Sequence, residues 1–416
     1  MSGGPDSSGA ISRRAFVGAA GLASAGLLAT AYATPAAATA GDATDAGPAV
    51  VPFYATHQAG VATPTQDCLV FAAYDVTAPG RSALLALLRT WTDASARLCA
   101  GQLLAGDTYP GAPAPDTGEA LGLGPAHLTV TAGFGPTLFD SRFGLADRRP
   151  AALADLPSFA GDALEPARSG GDLCIQACAD DPQVAFHAVH DLTRLALGTA
   201  TLRYLQLGFG RASSTSSQQV TPRNLMGFKD GTDNLTDEEP DLLERYVWVG
   251  SEGDQPWMRG GTYLVARRIR IHLEAWDRST LDEQEQAVGR DKASGAPLGG
   301  TAEHDPVNLR AVGKDGLPVI PAGAHIRVAA PATNGGERIL RRGFNFADGV
   351  DPVTGELDAG LFFICFQRDP RRQFVRIQTR LSEQDSMGRY LVHTSSGLFA
   401  CPRGPVPGGS WGDALS

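Results

Sequence analysis

The chain has 416 residues, 43% of them hydrophobic and 19% charged, with 50 Gly, 28 Pro and a formal net charge of −10. That length builds one large domain or two medium ones around a sizeable core, and the acidic balance argues against nucleic acid or an anionic membrane as a main partner. Six Cys at 68, 99, 174, 178, 365 and 401 form no Cys-x-x-Cys pair and have no His at metal-site spacing, so they read mainly as small core residues.

At the N-terminus, Ser12-Arg13-Arg14-Ala15-Phe16-Val17 precedes an Ala/Gly-rich stretch over 15–33, then Pro35 and Ala-Thr-Ala at 38–40. This is the layout of a twin-arginine export signal over residues 1–40. Its small residues, with Gly18 and Gly21, argue against a lasting anchor, so the mature chain is expected to carry no integral membrane span. The expected location is extracellular or in the cell envelope. Removing 1–40 leaves 416 − 40 = 376 residues and takes away Arg13, Arg14 and Asp6, so the net charge becomes about −11. Because this route carries folded cargo, a cofactor inserted before export is expected. The exported location would also permit a disulfide.

Residues 41–65, rich in Ala, Gly, Pro and Thr, read as an extended lead-in. Asp67 to Val76 is a short apolar run bounded by turn residues, the pattern of a buried strand. From Arg81 to Leu98, the spacing of Leu84, Leu85, Leu87, Leu88 and Trp91 predicts a helix. Strands are expected at 127–134, 172–178 and 201–209, with a helix after Asp181-Pro182, where Asp is the N-cap and Pro the first helical residue. The first half, residues 66–215, thus reads strand, helix, strand, strand, helix, strand.

The second half, residues 216–416, repeats that order. Tyr263 to Leu273 reads as a strand, Ser279-Thr280-Leu281-Asp282 as a capping-box start using Asp, Leu361 to Gln367 as a strand, and Asp369-Pro370 as the opening of a helix through Leu381. Strand, Asp-Pro, helix occurs once in each half, at 172–199 and 361–382. The expectation is an internal duplication of a β-α-β-β-α-β unit: an α+β protein of two ferredoxin-like halves with antiparallel sheets.

Three segments can carry chemistry. In Asn224-Leu225-Met226-Gly227-Phe228-Lys229-Asp230-Gly231-Thr232 a single acid stands between glycines that let the backbone come close to another body; Asp-Gly alone is more often a plain turn. Ala324-His325-Ile326-Arg327-Val328 sets one His in a β-like run, and Ile339-Leu340-Arg341-Arg342-Gly343 presents paired cations that, alone, read as a solvated face.

Taken together these segments resemble the dye-decolourising peroxidase family, in particular its twin-arginine-exported, iron-transport-associated, deferrochelatase-like subgroup. The resemblance runs from about His57 to Trp411-Gly412 and rests on Gly227-Phe228-Lys229-Asp230-Gly231-Thr232, Ala324-His325-Ile326-Arg327, Leu340-Arg341-Arg342-Gly343 and Asp369-Pro370-Arg371-Arg372-Gln373-Phe374. It implies a dimeric α+β barrel type of fold with one haem b per chain, lodged in the C-terminal half. His325 matches the iron ligand, Asp230 the distal acid and Arg341 the distal arginine, the first of the pair occupying the family position. Gly231, Thr232 and Asp233 match the backbone along the porphyrin. Where relatives often have Asn-Pro-Arg near the haem edge, this chain has Ala330-Pro331-Ala332, which leaves Arg267, Arg268 and Arg270 as candidate propionate partners.

The implied activity is reduction of hydrogen peroxide with oxidation of dyes or of a small-molecule or protein electron donor. The chemistry agrees: a neutral imidazole suits haem iron, a carboxylate can move a proton between peroxide oxygens, and a guanidinium can hold developing negative charge. Tyr390 and Trp411 are candidates to relay electrons, against a plainer role in packing. The alternative reading is a haem-handling, deferrochelatase-type protein in iron acquisition, needing the His325 pocket but not the Asp230–Arg341 pair. A ferredoxin-like binding module without haem is a third. Oligomeric state is left open.

Overall fold

The computed structural model describes residues 49–106 and 109–416. The export signal over 1–40, its cleavage site and the first residues of the lead-in lie outside the described residues. Among the described residues no helix is long and apolar enough to cross a membrane.

The first half runs β1 (Cys68–Val76), α1 (Arg81–Cys99), β2 (Thr129–Phe134), β3 (Leu173–Ala179), α2 (Pro182–Leu195) and β4 (Ala200–Arg211). Local chemistry explains the starts: Asp181 caps α2 by accepting from Gln183 N at 2.7 Å and Val184 N at 3.3 Å, with Pro182 in the first turn. The second half runs α3 (Pro240–Tyr246), β5 (Thr262–Ile271), α4 (Leu273–Asp277), α5 (Leu281–Val288), α6 (His325–Val328), β6 (Leu340–Arg341), β7 (Phe344–Val350), β8 (Leu357–Gln367), α7 (Phe374–Gln384) and β9 (Leu391–Cys401).

Each half is ferredoxin-like. In the first, antiparallel pairing gives the order β2-β3-β1-β4. In the second, leaving aside the two-residue β6 on β8, it gives β7-β8-β5-β9, the same arrangement with β5 as first strand. The halves join edge to edge, β2 to β9 at Phe134–Ala400 and β4 to β7 at Phe209–Asn345 and Arg211–Phe344, so the sheet closes on itself and no long edge remains among the described residues.

Side chains alternate across this sheet. Phe71, Phe344, Phe346, Phe362, Phe366 and Phe399 point into the barrel and are fully buried. Phe71 on β1 lies 5.2 Å from Phe362 and 6.0 Å from Phe399, ring centre to ring centre, so the interior is packed by residues of both halves. The opposite parity, Val70, Ala72 and Tyr74 of β1, packs outward against α1 and α2 around Trp91. All six Cys are free thiols and five are buried; burial pushes Cys178 up to about 11 and Cys99 up to about 12, as expected of inert core residues.

Three local expectations are corrected. His325 lies in the four-residue helix α6, not in a strand: Pro321 and Pro331 bracket the run, and Ala324 O accepts from Arg327 N at 2.9 Å and Val328 N at 3.0 Å. The capping box of α5 is formed one residue later, by Thr280 with Glu283. Asp369-Pro370 makes a turn, with Asp369 O accepting from Arg372 and Gln373 N, and α7 begins only at Phe374.

Candidate active site

On the outer face of the second half, between the sheet and α7, lies a cavity of about 810 Å³. Ile269 and Ile271 of β5, Leu361 and Phe363 of β8 and Leu391 of β9 form its floor, and Phe374, Ile377 and Leu381 of α7 one wall. Ala160 and Gly161, from the first half, reach its rim. Its size and mostly apolar lining, with a few converging polar groups, are those of a site for a sizeable organic ligand.

His325 lines this cavity. Its Nδ1 donates to Asp385 Oδ2 at 2.6 Å, which fixes the tautomer and turns the other nitrogen into the acceptor. Burial pushes the imidazole pKa down, but the charge and hydrogen bond of Asp385 outweigh it and raise the net value. Asp385 is itself held: its other oxygen accepts from Met387 N at 2.9 Å, capping the turn after α7. Gly323 O accepts from Ser386 N at 2.8 Å, tying the two segments together. A Cβ at Gly323 would meet Ser386 Oγ at 2.5 Å and Gln384 O at 3.1 Å, so the two segments approach closely at this glycine.

Asp230 and Arg341 line the same cavity. Arg341 Nη1 donates to Asp230 Oδ1 at 3.1 Å and Nη2 to Thr232 O at 3.0 Å. Asn224 Nδ2 donates to Asp230 Oδ2 at 3.1 Å. Behind them Asn234 receives Arg341 N on its Oδ1 at 2.9 Å and donates Nδ2 to Arg341 O at 2.8 Å, clamping the two chain segments. Gly231 has φ +98° and Asp233 φ 59°, both in the left-handed region, and a Cβ at Gly231 would lie 2.9 Å from Ser214 N. The turn that carries Asp230, Gly231, Thr232 and Asp233 along the cavity therefore depends on that glycine. Both side chains are partly exposed, Asp230 at 19% and Arg341 at 26%.

The strand arginines are elsewhere, a correction to the propionate candidates. Arg267 pairs with Asp162, Arg268 with Asp348 and Asp358, and Arg270 with Asp351, and none of the three lines the cavity. Cavity cations are Lys229, Arg290, Arg338, Arg341 and Arg389. Lys229 is paired with Glu303 and Arg338 with Asp233. Among the described residues Arg290 donates only to the carbonyls of Gly295 and Glu303, and burial with the nearby Arg341 holds its pKa below the ordinary arginine value. Arg389 lies over the Tyr390 ring at 4.7 Å and forms no ion pair among the described residues. Ala330, Pro331 and Ala332 also line the cavity, so the departure from the family pattern makes that edge apolar.

Of the aromatic candidates, Tyr390 is buried beside the cavity, its hydroxyl 2.7 Å from Ser279 Oγ and its ring edge-on to Trp276 at 5.0 Å. Trp411 is buried in the outer core against Phe53, away from the cavity. Asp385, Asn224 and Asn234 were not singled out in the sequence. Asp385 carries one local sign, an Asp-Ser-Met cap after a helix, but nothing local marks its pairing with His325.

The donor set suits haem: an imidazole backed by a carboxylate, apolar walls, and lining arginines, Arg290 and Arg389, that form no ion pair among the described residues. Comparison with known proteins agrees. Residues 58–210 match the model of the Dyp-type peroxidase N-terminal domain and residues 221–405 that of the C-terminal domain. The chain is 37% identical to the deferrochelatase of Escherichia coli O6:K15:H31 over 93% of this chain and 92% of that one. It is 39% identical to that of Yersinia pseudotuberculosis over 84% of this chain and 80% of the relative. Among solved structures, the DyP-type peroxidase of Streptomyces coelicolor superposes with a TM-score of 0.81 at 41% identity, covering 88% of this chain and 96% of that one. Ferric DtpA of Streptomyces lividans superposes with a TM-score of 0.81 at 40% identity, with the same coverage.

Proposed function

Since this chain belongs to the Dyp-type peroxidase family and is a haem-dependent peroxidase, we propose a division of labour among its residues in which His325 binds the iron and Asp230 with Arg341 handles peroxide. The observation that carries the reading is the opening of two separately braced pairs, His325–Asp385 and Asp230–Arg341, into one apolar cavity. When bound, haem supplies the redox centre at which peroxide is reduced at the expense of an electron donor.

The chain's own groups do the rest. Asp385 keeps the proton on Nδ1, so the Nε2 lone pair is available to iron. Asp230 accepts a proton from one peroxide oxygen and returns it to the other. The Arg341 guanidinium, held by Thr232 O and Asp230, faces the negative charge that builds on the departing oxygen. Gly231, Thr232 and Asp233, which line the cavity, would flank a bound haem, and the apolar walls would exclude water. Arg290 and Arg389 are the cations left for the propionates. The donor is a small molecule or a protein that reaches the cavity rim. The decisive experiment is the visible spectrum of purified His325→Ala: a folded protein with little or no Soret band supports the assignment, and full haem content with an unchanged spectrum overturns it.

The deferrochelatase name of the Escherichia and Yersinia relatives supports a second, compatible activity, release of iron from haem, that needs the His325 pocket without the Asp230–Arg341 pair. Export by the twin-arginine route, to the cell envelope or beyond, is part of the same proposal and rests on residues 12–40.

A further inference from the structure

We propose that the first half carries a divalent metal site formed by Asp116, His187 and Asp191, with a first-row transition ion as its ligand. His187 and Asp191 stand one turn apart on α2 and share a face. Asp116 comes from the connection between α1 and β2, which folds back over that helix. Its Oδ1 lies 3.0 Å from His187 Nε2, and Asp191 Oδ2 lies 3.1 Å from the same nitrogen. The three ligand atoms lie within 4.8 Å of one another, and the side chains are 8%, 3% and 0% exposed.

Two observations set this apart from an ordinary ion-pair cluster. His187 Nε2 can carry one proton for two carboxylates: it is hydrogen-bonded to Asp116, and Asp191 Oδ2, which shares the same nitrogen at 3.1 Å, is buried with no other donor among the described residues. Such a group asks for an explanation, and a cation supplies one. Second, the remaining oxygens are already held. Asp116 Oδ2 accepts from Leu104 N at 2.7 Å, and Asp191 Oδ1 accepts from Arg194 Nη2 at 3.0 Å and Thr117 N at 3.3 Å. Asp116 Oδ1 also accepts from Gly118 N at 2.7 Å, which leaves a second lone pair to face His187 Nε2 and Asp191 Oδ2, in the way outer hydrogen bonds aim metal ligands.

The chemistry narrows the ion. Separations of 3.0 and 3.1 Å are close to the edge of about 3.0 Å between adjacent ligands of an octahedral ion bound at about 2.1 Å. One imidazole with two carboxylates favours Mn²⁺, Fe²⁺, Co²⁺ or Zn²⁺ over Mg²⁺ or Ca²⁺. Three protein ligands leave open positions for water. The charged neighbours, Arg194 on Asp191 and the pair at 2.5 Å between His190 of α2 and Glu119 of the connection, lie outside the triad. An ion here would fasten the 101–128 connection to α2, and none of these residues serves the peroxidase cavity.

The test uses the haem-loaded full-length protein, stripped with chelator and dialysed against Mn²⁺, Co²⁺ or Zn²⁺, with bound metal other than iron counted by mass spectrometry. One ion per chain is expected, with a chelator-reversible rise in melting temperature. Asp191→Asn and Asp116→Asn should each weaken binding about tenfold or more, while His190→Gln, outside the triad, keeps it. If Asp191→Asn does not fold, the metal count and chelator response of the unaltered protein decide. No stoichiometric binding of any of the three ions at millimolar concentration, or binding that survives both Asp→Asn changes, overturns the proposal and leaves a protonated His187 between two carboxylates.

Discussion

Asp385 accepts the Nδ1 proton of His325 at 2.6 Å across 60 positions of chain, and it does so from the turn that it also caps. The carboxylate therefore orients the ring and adds to its basicity. Asp385→Asn keeps the shape and the cap but donates or accepts only weakly at His325. Haem transfer to an excess of a haem-scavenging apoprotein should speed up about 10- to 100-fold, the scale for losing an outer partner of a metal ligand. Transfer at the unaltered rate would show that Asp385 does not support the ligand.

The closed barrel predicts joint unfolding of the two halves. Phe71→Ala removes the ring that meets Phe362 and Phe399 from the opposite half, and a buried Phe→Ala change costs about 3–5 kcal/mol. Denaturant unfolding followed by far-ultraviolet and tryptophan signals should show one coincident transition moved to lower denaturant. Two separate transitions would mean that the halves are independent.

Much of this architecture was legible in the sequence because it is local. Asp181-Pro182 states its own cap, the buried runs of β1 and β3 state their strands, and the repeated order of elements states the duplication. What failed was also local in form: Ala324 to Val328 alternates over only five residues, too short to distinguish a strand from a turn between two prolines. The site was legible only in part. Asp230, His325 and Arg341 sit in recognisable segments, whereas Asp385, Asn224 and Asn234 act through contacts that no periodicity encodes. The strand arginines misled for a related reason, because their acids, Asp162, Asp348 and Asp351, lie 80 or more positions away in the chain.

Acid stability should depend on Asp172. Burial alone would push its carboxyl up, but Arg142, with donors at 2.9 and 3.0 Å, and Val76 N at 2.9 Å hold its pKa below the ordinary value. A depressed folded-state pKa stabilises the protein fully above the unfolded value of about 3.9, and the contribution is lost as pH falls through the folded one. In urea titrations Asp172→Asn should be less stable than the parent at pH 6, and the gap should narrow as pH falls below about 4. A gap that stays constant from pH 6 to pH 3 would show that the carboxylate charge is not what stabilises.

Export should depend on Arg13 and Arg14, ahead of the apolar stretch. Changing both to Lys is expected to hold the protein inside the cell, and exported parent protein should begin near Gly41. N-terminal sequencing of exported material that still starts at Met1 would defeat this reading.

The roles proposed for Asp230 and Arg341 can be told apart, although the two are hydrogen-bonded to each other at 3.1 Å. Asp230→Asn preserves size and the contact with Arg341 but removes the carboxylate proposed to carry the proton. The reaction of the ferric protein with peroxide should slow about a hundredfold or more, the usual scale for losing a general acid–base group. Arg341→Leu removes the charge facing the departing oxygen and should slow the same step about a hundredfold. It also frees Asp230 Oδ1, which keeps only the Asn224 contact on its other oxygen. The two losses should therefore not add: the double variant is expected to be only slightly slower than the worse single one, as for groups that act as a unit. Stopped-flow mixing with peroxide, followed at the Soret band at matched haem content, measures all three. Parental rates in both single variants would place the peroxide chemistry elsewhere and bring iron release from haem forward as the main activity.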